Sequence, residues 1–109
     1  MRSFDLDGVV TAGCMPVVGD IIVTGRRDKY AVETKKQLAG LGVPDGVAVY
    51  LRPSGADDDR VSAGEWKALV CQFAGVDEHW EDDPLQAEII RRHDPHVHIV
   101  LVKGGGVFD

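Results

Sequence analysis

Cysteine is scarce in this chain of 109 residues: Cys14 and Cys71 stand alone and far apart. Neither a disulfide framework nor a cysteine-based zinc site can be built from such a pair. Both read as reduced thiols of a cytoplasmic protein, Cys71 in the core of a helix. Long apolar runs are missing too. No stretch approaches the ~20 residues that span a bilayer, and Asp5 and Asp7 interrupt the N-terminus before a signal peptide could form. Basic charge is in short supply, since 12 Lys and Arg against 18 Asp and Glu leave a formal charge of −6. That excludes a protein that coats nucleic acid through a general basic surface, but not a local anion site. With no internal repeat and no linker, residues 1–109 read as one globular domain with a real core and little room for an inserted second module.

The acidic residues carry the first signal. In Phe4-Asp5-Leu6-Asp7-Gly8-Val9, two carboxylates two residues apart are followed at once by glycine. On a strand, Asp5 and Asp7 share one side and Phe4 and Leu6 the other. Holding two like charges side by side costs stability unless something positive, such as a metal ion, sits between them. Gly8 lets the backbone leave the strand sharply.

The rest of the chain alternates strands with helices. Val9 to Gly19 carries Gly13, Pro16 and Gly19 and reads as a loop or small hairpin. Asp20 to Thr24 is a β-branched run suited to a strand buried on both faces. The spacing of Tyr30, Thr34, Leu38 and Leu41 predicts a helix over Asp28–Leu41, stopped by Gly42. Val47–Leu51 is the next strand, closed by Pro53. Asp57, Asp58 and Asp59 read as a solvated loop. Ser62-Ala63-Gly64-Glu65 has the form of a capping box, which places a helix start at Ser62. Trp66, Leu69, Val70 and Phe73 are its expected buried stripe, with Lys67 near its N-terminal end. The segment to Glu81 is unusually polar for a central strand, with Asp77, Glu78 and Glu81. Asp83 is placed to cap a helix from Pro84 to about Arg92. His96 to Val102 is the last strand, and Lys103 to Asp109 a glycine-rich tail.

This order predicts an α/β fold: a three-layer α/β/α, Rossmann-like sandwich around a mostly parallel sheet of five strands. In such sheets the working groups gather at the carboxyl ends of the strands. Asp5 and Asp7 close the first strand, Thr24 the second, and Asp82 and Asp83 the fourth, while Lys67 opens a helix on the same edge. Carboxylates on one rim suit a hard cation such as Mg²⁺. A hydroxyl, a following glycine amide and a lysine suit a phosphate.

The order and spacing of these residues resemble the haloacid dehalogenase superfamily of phosphohydrolases. Asp5-Leu6-Asp7-Gly8-Val9 matches its first motif in full, and Ile21-Ile22-Val23-Thr24 its second. Lys67 stands for the third and Asp82-Asp83 for the fourth. The resemblance implies an Mg²⁺-dependent phosphomonoesterase in which Asp5 is the nucleophile that forms an aspartyl-phosphate. Asp7 is then the general acid and base, with its carbonyl on the metal. Thr24 and the Gly25 amide hold the phosphoryl group, and Lys67 neutralises it. Asp82 completes the metal shell, and Asp83 ligates the ion or orients its water. Thr24-Gly25-Arg26 also resembles the phosphatase domain of polynucleotide kinases, which makes Arg26 a candidate for substrate phosphate. A nucleotide or a nucleic-acid end is then one substrate class among several. The connections after Gly8 and after Arg26 are too short for the cap domain that many members carry. The open rim suits a terminal or macromolecular phosphate, or a lid supplied by a homo-oligomer or a partner subunit.

Other readings compete. A receiver domain uses similar groups, but its acidic pair comes first, whereas here the pair comes last. His93, His96 and His98 have no cysteine near and read as a solvated face. Gly104-Gly105-Gly106 precedes no helix, so it is not a phosphate loop. Trp66 and Trp80 read as core residues, Trp80 with the option of bordering the site. The alternative from another class is a catalytically idle member of the same fold that binds a phosphorylated ligand or a protein partner.

Overall fold

The alternation of strands and helices is realised in the computed structural model, which describes residues 1–57 and 59–103 and the backbone of 106–107. The strands are β1 (Arg2–Phe4), β2 (Ile21–Arg27), β3 (Ala48–Arg52), β4 (Glu78–Glu81) and β5 (His98–Lys103). The helices are α1 (Ala31–Leu41), α2 (Arg60–Ala74) and α3 (Pro84–His93). The five strands are all parallel in the order β3-β2-β1-β4-β5. Phe4 lies beside Ile22 on one side and Trp80 on the other. The chain therefore moves outward from β1 in one direction and then returns to its other side. The crevice above the carboxyl ends of β1 and β4 is the topological switch point, where doubly wound sheets bind ligands.

Side-chain alternation divides the core into two layers. One face of the sheet sends Phe4 and Ile22 towards Val9, Val10, Leu38 and Val43. Ile21 and Val23 point the other way, onto Ala68 and Cys71 of α2 and Ile90 of α3. Trp80 belongs to the first layer, stacked on Phe4 with ring centroids 5.3 Å apart. Fully burying an aliphatic or aromatic side chain of this size contributes about 1.5–3 kcal/mol.

Several local expectations are corrected. The first strand stops at Phe4, and the backbone turns through Leu6–Val10, so Asp5 is buried while Asp7 is exposed. The loop after it is not peripheral, because Val9 and Val10 enter the core. The second strand runs on to Arg27, with a register irregularity after Thr24. A 3₁₀ turn over Asp28–Tyr30 replaces the first turn of the predicted α1, and Tyr30 is exposed. Gly42 does end α1, in the left-handed conformation.

At α2 the cap is Asp59, whose carboxylate accepts from the Ser62 amide at 2.7 Å and the Ser62 hydroxyl at 2.9 Å. The helix thus starts at Arg60, and Ser62 lies inside it. Its buried stripe is Ala63, Gly64, Lys67, Ala68 and Cys71. Trp66 and Val70 are partly buried against the core, whereas Leu69 and Phe73 face outward. Close approach of α3 selects the small residues: a Cβ on Gly64 would lie 3.1 Å from Ile89 Cδ1 and 3.3 Å from the Gln86 Cα.

Asp83 caps α3 as expected, accepting from the amides of Leu85 and Gln86. At the other sheet edge, Gly106–Val107 forms a short antiparallel strand, β6, on β5 where a structureless tail was expected. Asp58, Gly104, Gly105, Phe108 and Asp109, about which the sequence suggested a solvated loop and a tail, lie outside the described residues. Among the described residues no helix is long and apolar enough to cross a membrane.

Candidate active site

All eight site residues expected from the sequence reach one cleft of about 260 Å³ above the switch point: Asp5, Asp7, Thr24, Gly25, Arg26, Lys67, Asp82 and Asp83. They do so at different depths and with different partners.

Asp5 follows the last residue of β1, extended and almost wholly buried, and its Oδ1 accepts from the Leu6 amide at 2.9 Å. Lys67, one of the deepest residues of α2, sets its Nζ 3.2 Å from the same oxygen and 2.9 Å from Glu81 Oε1. Gln86 Oε1 accepts a further hydrogen bond from that ammonium at 2.7 Å. Burial pushes the Asp5 carboxyl well above the usual carboxylate range, and the neighbouring Glu81 charge adds to the effect. Lys67 pulls the other way without prevailing. Lys67 itself remains a firm cation: burial disfavours its charge, but Glu81 and Asp5 together raise its pKa.

Glu81 is the residue that sequence reasoning passed over. It is fully buried, and its carboxylate joins Lys67 to His79, whose Nε2 lies 3.0 Å from Oε1. A carboxylate only accepts, so Nε2 donates to Glu81, and Nδ1 shares a 2.6 Å hydrogen bond with the Ser3 hydroxyl. Ser3, His79, Glu81 and Lys67 thus form one satisfied polar chain beneath Asp5. Its signal was present in the alternation of β4: His79 and Glu81, two residues apart, must share a face. The sequence read that polarity as an oddity of the strand, whereas it is the partner set of a buried lysine. Gln86 gave no such signal.

The acidic pair after β4 divides its roles. Asp82 is exposed, and its carboxylate rests against the Gly8 backbone. Gly8 sits at φ +82°, where glycine alone is unstrained. Asp83 is held by the α3 amides and by a two-pronged contact from Arg60, at 2.9 and 2.5 Å. The Arg60 hydrogen bonds hold its carboxyl below the ordinary range despite partial burial. Single oxygens of Asp5, Glu81 and Asp82 lie within 4.8 Å of one another. An all-oxygen set of this kind fits a hard cation. Glu81 is wholly buried between Lys67 and His79, Asp5 is nearly so with Oδ1 on the Leu6 amide and Lys67, and Asp82 is the exposed donor of the three.

On the β2 side, the buried Thr24 accepts the Arg26 amide at 3.2 Å, which leaves its hydroxyl hydrogen to donate. The Arg26 guanidinium faces Asp7, with Nε 3.0 Å from Oδ2 and Nη2 2.7 Å from Oδ1, and also donates to Gln37 at 2.6 Å. Trp80 packs on Phe4 and does not line the cleft. No protein-family model matches the chain, and no curated protein matches it.

Proposed function

We propose that the protein is an Mg²⁺-dependent phosphohydrolase of the haloacid dehalogenase type, a phosphomonoesterase working through an aspartyl-phosphate. One observation carries this reading: Lys67 held 3.2 Å from Asp5 in a cleft that also offers Asp7, Thr24 and Asp82. A buried lysine aimed at a buried aspartate has a clear use when a dianionic phosphoryl group must be brought to that carboxylate.

In this reading an Asp5 oxygen forms a bond to phosphorus as the bond to the leaving oxygen breaks. Asp7 gives that oxygen a proton. Water then attacks the phosphorus of the acyl phosphate, Asp7 takes the proton back, and the bond to Asp5 breaks to release phosphate. The Thr24 hydroxyl and the Gly25 amide orient the phosphoryl oxygens, and Lys67 balances their charge. Asp5 and Asp82 are the residues that would hold the ion, together with the Asp7 carbonyl that the family resemblance implies. When bound, it supplies positive charge that favours ionised Asp5 and shields the phosphoryl oxygens. Arg26 keeps Asp7 oriented and turns to substrate phosphate when that arrives.

The contact between Arg26 and Asp7 also favours a second reading, in which Asp7 stays engaged and the site binds a phosphorylated ligand without turnover. The deciding experiment is phosphate release from a panel of phosphomonoesters, with Mg²⁺ or chelator, for wild type and Asp5→Asn. Metal-dependent release that Asp5→Asn abolishes is the expected result. Binding of phosphoesters with no release at all supports the binding module instead.

A further inference from the structure

A second cleft of about 400 Å³ adjoins the first and shares Gly25 and Arg26 with it. Its remaining lining is Arg27, Tyr30, Glu33 and Thr34. The size is in the range of small-molecule sites. Tyr30 closes the 3₁₀ turn ahead of α1 with half of its surface exposed. Lys29 Nζ lies 5.2 Å from its ring centroid. Thr34 is the second, independent observation: only 1% exposed, it lines the cleft, yet its Oγ1 is buried with no hydrogen-bond partner. A helical threonine ordinarily gives that hydrogen to a carbonyl one turn earlier. A buried hydroxyl left unpaired destabilises the fold unless something else pairs with it.

The lining combines one aromatic face, guanidinium groups, one carboxylate and one unpaired hydroxyl. Arg26 and Arg27 are already engaged, Arg26 with Asp7 and Arg27 with the carbonyls of Pro53 and Ala56. Arg26 serves Asp7 and the phosphoryl group of the neighbouring cleft, and Arg27 is held by its two carbonyls, so neither gives this cleft an anion site of its own. A bare sugar or glycerol ester offers nothing for Tyr30 to stack on, and a plain hydrocarbon ring nothing for Glu33 or Thr34. A planar ring with a donor-and-acceptor edge satisfies all three. We infer that this cleft is the leaving-group subsite, and that the substrate is a small phosphomonoester bearing a heteroaromatic ring, with a nucleoside monophosphate the fitting chemistry. The inference rests on the phosphohydrolase reading. The formal charge of −6 favours a single small ester over a long polyanion.

Two measurements test it. In the first, kcat/KM is compared for adenosine monophosphates, a 3′-phosphorylated oligonucleotide, ribose 5-phosphate and glycerol phosphate, in wild type, Tyr30→Leu, Tyr30→Phe and Thr34→Val. The mononucleotides should lead. Tyr30→Leu should cost them about 3- to 10-fold more than it costs glycerol phosphate, chiefly through KM, with Tyr30→Phe restoring the preference. In the second, adenosine is titrated into labelled wild-type protein, and amide shifts should cluster over residues 25–34. Hydrolysis without ring preference overturns the subsite and leaves the phosphohydrolase standing. Adenosine shifts at 25–34 without hydrolysis of any ester keep the ring site and overturn the phosphohydrolase. Absence of adenosine shifts there overturns the subsite whatever the kinetics show, and the oligonucleotide leading the panel replaces the mononucleotide with a nucleic-acid end.

Discussion

Gly8 and Asp82, 74 positions apart in sequence, touch so closely that a Cβ on Gly8 would lie 2.0 Å from Asp82 Oδ2. The glycine that lets the chain leave β1 is therefore also the floor on which the exposed carboxylate after β4 rests. Gly8→Ala meets both a positive φ and this overlap, so it should destabilise the protein by about 1–3 kcal/mol. It should also displace Asp82 and weaken divalent-cation binding. Urea unfolding and a Mn²⁺ titration measure the two effects. Normal stability with normal binding would show that the Asp82 contact is dispensable.

Among the described residues, Lys67 is the one cation that contacts both buried carboxylates, Asp5 and Glu81. Lys67→Met leaves both uncompensated and should cost about 3–5 kcal/mol. Added Mg²⁺ should return part of that loss, because a bound cation replaces some of the missing charge. The check is the midpoint of thermal unfolding with Mg²⁺ and with chelator. A variant as stable as wild type in chelator argues that the carboxylates are held neutral.

Asp82 and Asp83 should separate cleanly by mutation. Asp83→Ala removes the α3 cap and the Arg60 contact, for a loss of about 1–2 kcal/mol, while cation affinity survives. Asp82→Asn should change stability by no more than about 0.5 kcal/mol and lose most cation binding. Calorimetric titration beside chemical denaturation gives both numbers for each variant. The opposite pattern would exchange the roles assigned here.

Away from the site, Asp20 gives a pH signature. Burial alone would raise its carboxyl, but two Arg2 contacts at 3.2 and 2.7 Å and the Val17 amide outweigh burial and hold it below the ordinary range. A carboxyl depressed in the folded state stabilises the fold above its unfolded value of about 4. That contribution is lost as pH falls through the lower, folded value. Asp20→Asn should therefore be about 1–3 kcal/mol less stable than wild type at pH 7. The gap should close on acidification below about pH 4. Unfolding midpoints of the two proteins across that range decide it, and a gap independent of pH would mean that charge is not the cause.

The sequence by itself determined the parallel α/β order, because strand and helix periodicities are local properties of Ile21–Val23, Val47–Leu51 and the α1 and α3 segments. It also determined which carboxylates, hydroxyl and lysine reach the rim, since parallel strands all end on one edge. Only the tertiary structure decided what each of those groups does there. Trp66, Leu69, Val70 and Phe73 make as good an apolar stripe as any on α2. The close packing of α3 against Gly64 instead turned the face with Ala63, Lys67 and Cys71 inward, leaving Leu69 and Phe73 outside. That rotation buried Lys67, and a buried ammonium must find charge: hence Glu81, His79 and Ser3 beneath it. The pairings of Asp7 with Arg26 and of Asp83 with Arg60 are likewise meetings of residues 19 and 23 positions apart. Such partners are selected by distance in space and by the cost of unpaired charge, neither of which is written in local sequence.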